Sequence, residues 1–197
     1  MRVNFGLLMV SFFLFAVSAA PQTQLNVTSP STVSQGSTFE VDVMTLNAVD
    51  LFDYQFDLTF NPGVLSAVGV SEGPFLSNGG TTFFLPGTID NSGGTITLNA
   101  DSLLGPIPGV SGSGVLVQFD FTALEPGLSN FAIQNVLLQD STGAILDSTT
   151  NGGSVTVTGT SVTPEPSSFS LMALGIMISA LASSFAKILA AHASRNI

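Results

Sequence analysis

An antiparallel β-sandwich of about nine strands is the fold this sequence predicts for its middle, and three observations predict it. Apolar and polar residues alternate over short runs between Leu25 and Thr158, the period of a strand with one buried face. Clusters of Gly, Asn, Ser and Pro separate those runs at short intervals. Helical periodicity is absent throughout that stretch. Two apolar segments fall outside the pattern and read as an N-terminal signal peptide and one C-terminal transmembrane helix.

In chain order, Phe39, Val41 and Val43 alternate with Glu40 and Asp42 in a first clear strand. The strongest signal follows in Phe52-Asp53-Tyr54-Gln55-Phe56-Asp57-Leu58-Thr59-Phe60, where every even position is apolar. Strands are also predicted over 64–70, 81–85 and 95–100. Then Val115, Val117, Phe119 and Phe121 oppose Gln118, Asp120 and Thr122, before strands over 131–138 and 154–158. Turns are marked by Asn61-Pro62-Gly63, Asn78-Gly79-Gly80, Asn91-Ser92-Gly93-Gly94 and Glu125-Pro126-Gly127. The division this predicts is a signal peptide over 1–19, a β domain over 24–159 and a linker over 160–168. A transmembrane helix over 169–191 and a short cytoplasmic tail over 192–197 follow.

Charge narrows the function. The 197 residues hold thirteen Asp and Glu against three Lys and Arg, a net charge of −10. All the acids lie between Glu40 and Glu165, while the cations are Arg2, Lys187 and Arg195. The β domain therefore has no Lys or Arg with which to pair its acids, which must be solvated, hydrogen-bonded or matched by a bound cation. Nucleic acid is not an expected partner, because phosphate binding needs basic groups. The absence of cysteine excludes disulfides, thiolate catalysis and zinc–thiolate sites. There is no Trp and a single Tyr, Tyr54, so the rings that usually stack on sugars are scarce.

No catalytic constellation is present. The single histidine, His192, lies beyond the terminal helix, so Ser–His chemistry has no base in the domain. The strand acids alternate outward as a solvated face, and an enzyme is not expected. Asp53 and Asp57 share that face with Gln55 between them. It reads either as an interaction surface, whose like charges a cationic partner would relieve, or as a plain solvated face. Asp140-Ser141-Thr142-Gly143, together with Asp147, and the pair Asp90-Asn91 place oxygen donors on loops. These suit either calcium ligation or Asx-type turns closing hairpins, and no other cofactor is implied.

At the N-terminus, Arg2 precedes an apolar run from Phe5 to Val17 and the small residues Ser18-Ala19-Ala20, which predicts cleavage before Ala20. At the other end, Lys187 and Arg195 follow the apolar segment beginning at Phe169. That asymmetry predicts a cytoplasmic C-terminus and a domain held outside the cytoplasm. Just upstream stands Thr163-Pro164-Glu165-Pro166-Ser167, in which two prolines keep the backbone extended. Pro164-Glu165-Pro166, an apolar helix and then basic residues resemble a PEP-CTERM sorting tail, with Lys187 and Arg195 in place of that family's tight Arg cluster. The resemblance implies an exosortase-type processing enzyme as partner, membrane attachment through the C-terminal helix, and release to the cell surface or matrix after processing.

A second resemblance covers the domain. It rests on Val33-Ser34-Gln35-Gly36-Ser37-Thr38-Phe39-Glu40-Val41, on Tyr54 to Pro62, and on Glu72-Gly73-Pro74-Phe75-Leu76. Gly112-Ser113-Gly114-Val115-Leu116 leading into Phe119-Asp120-Phe121, and the closing Gly153-Ser154-Val155-Thr156-Val157, complete it. Together these are similar to the cohesin-like domain. That resemblance implies a nine-stranded jelly-roll sandwich, related in fold to carbohydrate-binding modules, that docks a protein ligand. The expected function is thus a non-catalytic exported surface or matrix protein that binds protein. Its alternatives are a module for extracellular polysaccharide and a structural matrix component.

Overall fold

Twenty-two consecutive residues, rich in Phe, Val, Leu and Thr, favour extended backbone and form β3, Thr38–Thr59, the strand around which the domain is organised. In the computed structural model, which describes residues 22–159 and 168–193, the first half of β3 pairs with β1 (Thr23–Thr28) and β7 (Val110–Ala123). Its second half pairs with β6 (Thr95–Leu103) and β8 (Gly127–Asp140). Between the halves, Asn47 and Asp50 sit at φ 54°, the left-handed region that Asn and Asp tolerate better than most residues. The strand bends there and passes from one layer into the other.

The remaining elements extend the two layers. β4 (Leu65–Glu72) adds to β7, and β9 (Ser148–Asn151) adds to β1. On the other layer β5 (Thr82–Asp90) adds to β6, β10 (Gly153–Thr158) adds to β8, and β2 (Thr32–Ser34) adds to β10. A single helical turn, α1 (Pro74–Ser77), links β4 to β5 and buries Phe75 and Leu76. The core between the layers is largely aromatic. Phe121 lies 5.1 Å from Phe60 and 5.4 Å from Phe131, ring centre to ring centre, and Phe56 meets Phe119 edge-on at 6.5 Å.

The structure corrects the sequence-based fold on three points. Among the described residues ten strands form one continuous sheet that curls on itself through β3 as a jelly-roll, where an antiparallel jelly-roll sandwich of about nine strands was expected. The pairing is also not wholly antiparallel, since β1 with β9 and β10 with β2 run parallel. The sequence could not show these pairs because β2 and β9 are only 3 and 4 residues long, too short for a period to register. Thirdly, no helix among the described residues is long and apolar enough to cross a membrane.

That last finding overturns the transmembrane helix, and with it the membrane anchorage and the placement outside the cytoplasm inferred from it. The chain divides into two units after Gly159, and the second contains α2 (Ser168–Ala193). The apolar residues of α2 are broken into short groups by Gly175, Ser179, Ser183 and Ser184. The three serines donate hydrogen bonds back to the carbonyls of Ile176 and Ala180. The signal-peptide reading of 1–19 and the Pro164-Glu165-Pro166 motif fall outside the described residues. An exosortase-type partner has nothing further to support it.

With no cation in the β domain to offset its acids, self-repulsion opposes the compact state. Raising salt from about 10 mM to about 500 mM is expected to raise Tm by roughly 2–5 °C through screening. A Tm that does not move would contradict this.

Candidate docking face

The second half of β3 turns the half-buried Asp53, Gln55 and Asp57 to the side opposite the buried Tyr54, Phe56 and Leu58. Register with the neighbouring strands extends these positions into rows. Asp53 lies opposite Ser102 of β6 and Gln139 of β8, and Ser102 opposite Phe83 of β5. Gln55 lies opposite Ala100 and Leu137, and Ala100 opposite Leu85. The two rows line a shallow groove of about 230 Å³. A second hollow of about 200 Å³ continues from Leu85 to Pro86 and Leu98. Phe83 is 59 % exposed and Leu98 49 %. The face is therefore an apolar strip on β5 and β6 beside a polar, acidic strip on β3 and β8.

Asp57 does something different from its neighbours. Its Oδ1 accepts the Leu98 backbone N–H at 2.8 Å, and its Oδ2 accepts the Asn135 side-chain amide at 2.6 Å. Leu98 and Asn135 both have left-handed backbone, φ 61° and 51°, and stand beside register shifts in the pairing with β3. One carboxylate thus fastens a bulge in the strand on either side. A bulge moves every later side chain to the opposite face. Beyond Leu98 it turns Asn99, Asp101 and Leu103 inward, and beyond Asn135 it brings Leu137 out to the groove. Asp57→Ala is expected to cost about 2–3 kcal/mol, since it removes two hydrogen bonds to a charged acceptor. Urea unfolding of this variant checks the figure, and a loss below about 0.5 kcal/mol would show that the bulges hold without it.

The other candidate acids serve turns. Asp140 Oδ1 accepts the Thr142 N–H and hydroxyl, at 2.8 and 2.7 Å, and the Ala144 N–H at 2.9 Å. These bonds hold its carboxyl below the usual range. Asp90 makes the same kind of turn with Ser92 and Gly93, and its neighbour Asn91 bonds both backbone groups of Ala67. Asp147 is exposed ahead of β9. Among the described residues no three or more of His, Cys, Asp and Glu are grouped to hold a metal ion. Of the two readings of Asp140, the hydrogen bonds are those of the Asx turn.

Sequence reasoning passed over Phe83, Leu85, Ser102, Leu137 and Gln139, the last three of which lie beyond the bulges. One signal was present: Phe83-Phe84-Leu85 is apolar at three successive strand positions, so one face must expose an apolar side chain. It also missed Asp101, only 3 % exposed, whose carboxyl is pushed up to about 7 by burial and by the nearby Glu72. Asp53, half-buried in the groove, is likewise raised by burial.

The family model for the cohesin domain matches residues 23–161. The chain belongs to the cohesin family. Cohesin-fold domains are non-catalytic protein-binding modules, and this chain is one of them at that level. Among solved structures, the non-cellulosomal cohesin of the hyperthermophilic archaeon Archaeoglobus fulgidus is similar with a TM-score of 0.57 at 19 % identity, covering 70 % of this chain and 92 % of that one. A type II cohesin from Acetivibrio cellulolyticus, in complex with an X-dockerin, gives 0.59 at 15 % identity, covering 70 % and 100 %. A type I cohesin from Clostridium thermocellum, also in complex with a dockerin, gives 0.56 at 10 % identity, covering 74 % and 99 %. At such identities the likeness shows the fold alone. No curated protein sequence matches the chain significantly.

Proposed function

We propose that this cohesin domain docks a protein partner on the outer face of the β5–β6–β3–β8 layer. The observation that carries the reading is the pairing of an exposed apolar strip, Phe83, Leu85 and Leu98, with the acidic row through Asp53 and Gln55. Apolar anchors beside a polar strip are how a protein interface combines affinity with orientation. Asp53 and Gln55 are the contact candidates on β3, while Asp57 builds the face from within its hydrogen bonds. The partner that suits it carries an apolar side chain for the groove and a Lys or Arg for Asp53, since the domain supplies no cation of its own. Two of the similar cohesins are in complexes with dockerins, which makes a dockerin-like module the first partner to try.

Polysaccharide binding is less well supported. A glycan platform needs a row of exposed rings, and Phe83 is the one exposed Phe among the described residues. Immobilised full chain should retain a protein from cells that make it, and chelator added to the eluate would report a calcium-dependent partner. Retention of polysaccharide with no protein would contradict the proposal.

A further inference from the structure

Asp101 lies on β6 with its side chain turned into the core by the bulge at Leu98. Its Oδ1 accepts the Ser102 N–H at 2.9 Å, but its buried Oδ2 has no donor. Glu72, at the end of β4, brings a second carboxyl near it and helps to raise the Asp101 carboxyl. Glu72 itself accepts from the Thr82 hydroxyl of β5 at 2.7 Å, and Thr82 lies opposite Leu103, two residues along β6 from Asp101. Two carboxylates facing each other cannot satisfy one another, because neither has a proton to give. No cation is at hand either. The described domain has no Lys, Arg or His, and no third acid joins the pair to complete a metal site. The hydroxyl of Tyr54, paired in register with Asp101, is committed to the Leu116 carbonyl at 2.8 Å.

We infer that Asp101 and Glu72 share one proton, and that this proton latches β4 of one layer to β6 and β5 of the other. The protonated Asp101 donates from Oδ2 to the Glu72 carboxylate, which satisfies the orphaned atom and removes the repulsion together. The groups facing the latch are Glu72 from β4, Thr82 from β5, Tyr54 and the more distant Asp53 from β3, and Ser102 beside Asp101. None carries positive charge that would favour loss of the proton. A carboxyl raised from 3.8 to about 7 keeps its proton in the folded chain over a range where the unfolded chain has released it. Stability is then greatest near pH 4, falls as pH rises toward 7, and levels off above that. Asp50, Asp90 and Asp140, whose carboxyls are lowered by hydrogen bonds, act in the opposite direction, but only below about pH 4.

The test is thermal unfolding of the full chain between about pH 4.5 and pH 8, with a carbon-13 titration of the Asp101 carboxyl. Tm of the unmodified chain is expected to fall by roughly 5–10 °C across that range. Asp101→Asn, whose amide donates to Glu72 at every pH, should flatten the fall, and Glu72→Gln, which donates to Asp101, should do the same. Should neither variant fold, the carbon-13 titration of the unmodified chain decides alone. An Asp101 carboxyl that titrates in the ordinary range, or a fall of undiminished size in both variants, would overturn the latch; a smaller residual fall belongs to Asp42 and Asp53, whose carboxyls burial also raises. So would a rise in Tm on adding calcium near pH 8 that Asp101→Asn abolishes, because a cation would then hold the pair.

Discussion

Phe83→Ala combined with Leu85→Asp is expected to weaken partner binding at least about 100-fold while leaving the fold intact. Phe83 is 59 % exposed and Leu85 39 %, so neither contributes much to the core, and Tm should stay within about 2–3 °C of the unmodified chain. Binding suffers twice. Truncating an aromatic anchor removes buried apolar contact, and the new carboxylate would have to be desolvated beside an already acidic row. Val68→Asp is the control: Val68 is 56 % exposed on β4, in the other layer, and the same charge there should leave affinity unchanged. Equal losses in the two variants would mean that added negative charge, and not the face, is what the partner senses.

The second large effect concerns stability. Phe121→Ala is expected to cost about 3–5 kcal/mol, against the 5–15 kcal/mol that typically separates folded from unfolded chains. Phe121 is fully buried on β7 and meets rings from both halves of the curled sheet. Its centre is 6.0 Å from Phe39, 5.1 Å from Phe60 and 5.4 Å from Phe131. Removing it leaves a cavity between layers whose bulky walls cannot collapse far. Val33→Ala, on the short β2 and only partly buried, should cost much less. Denaturant unfolding that gave Phe121→Ala under about 1 kcal/mol would show that the two layers do not share this aromatic contact.

Strands were legible where side chains alternate without interruption. The run 54–60 places its inward residues Tyr54, Phe56, Leu58 and Phe60 as its pattern indicates, whereas the register shift between Leu51 and Asp53 buries Leu51 and leaves Phe52 only partly buried. Where a bulge intervenes, the period misleads. Extending the alternation of Ile96 along β6 would point Asp101 outward, whereas the left-handed Leu98 sends it into the core. The cause, a carboxylate on the neighbouring strand 41 residues away in sequence, leaves no local mark. The parallel pairs and the bend of β3 were hidden for a similar reason: each depends on which distant segments meet. The end of the chain failed differently, since an apolar composition was taken for a membrane span that the described part of α2 does not provide.

The β5–β6–β3–β8 face is proposed to dock a protein. Mapping amide chemical shifts of the isotopically labelled full chain, with and without its retained partner, tests it most directly. The perturbed amides are expected to cluster around Asp53, Gln55, Phe83, Leu85 and Leu137, with the outer face of β1, β4 and β7 unmoved. Perturbations confined to that opposite face would contradict it.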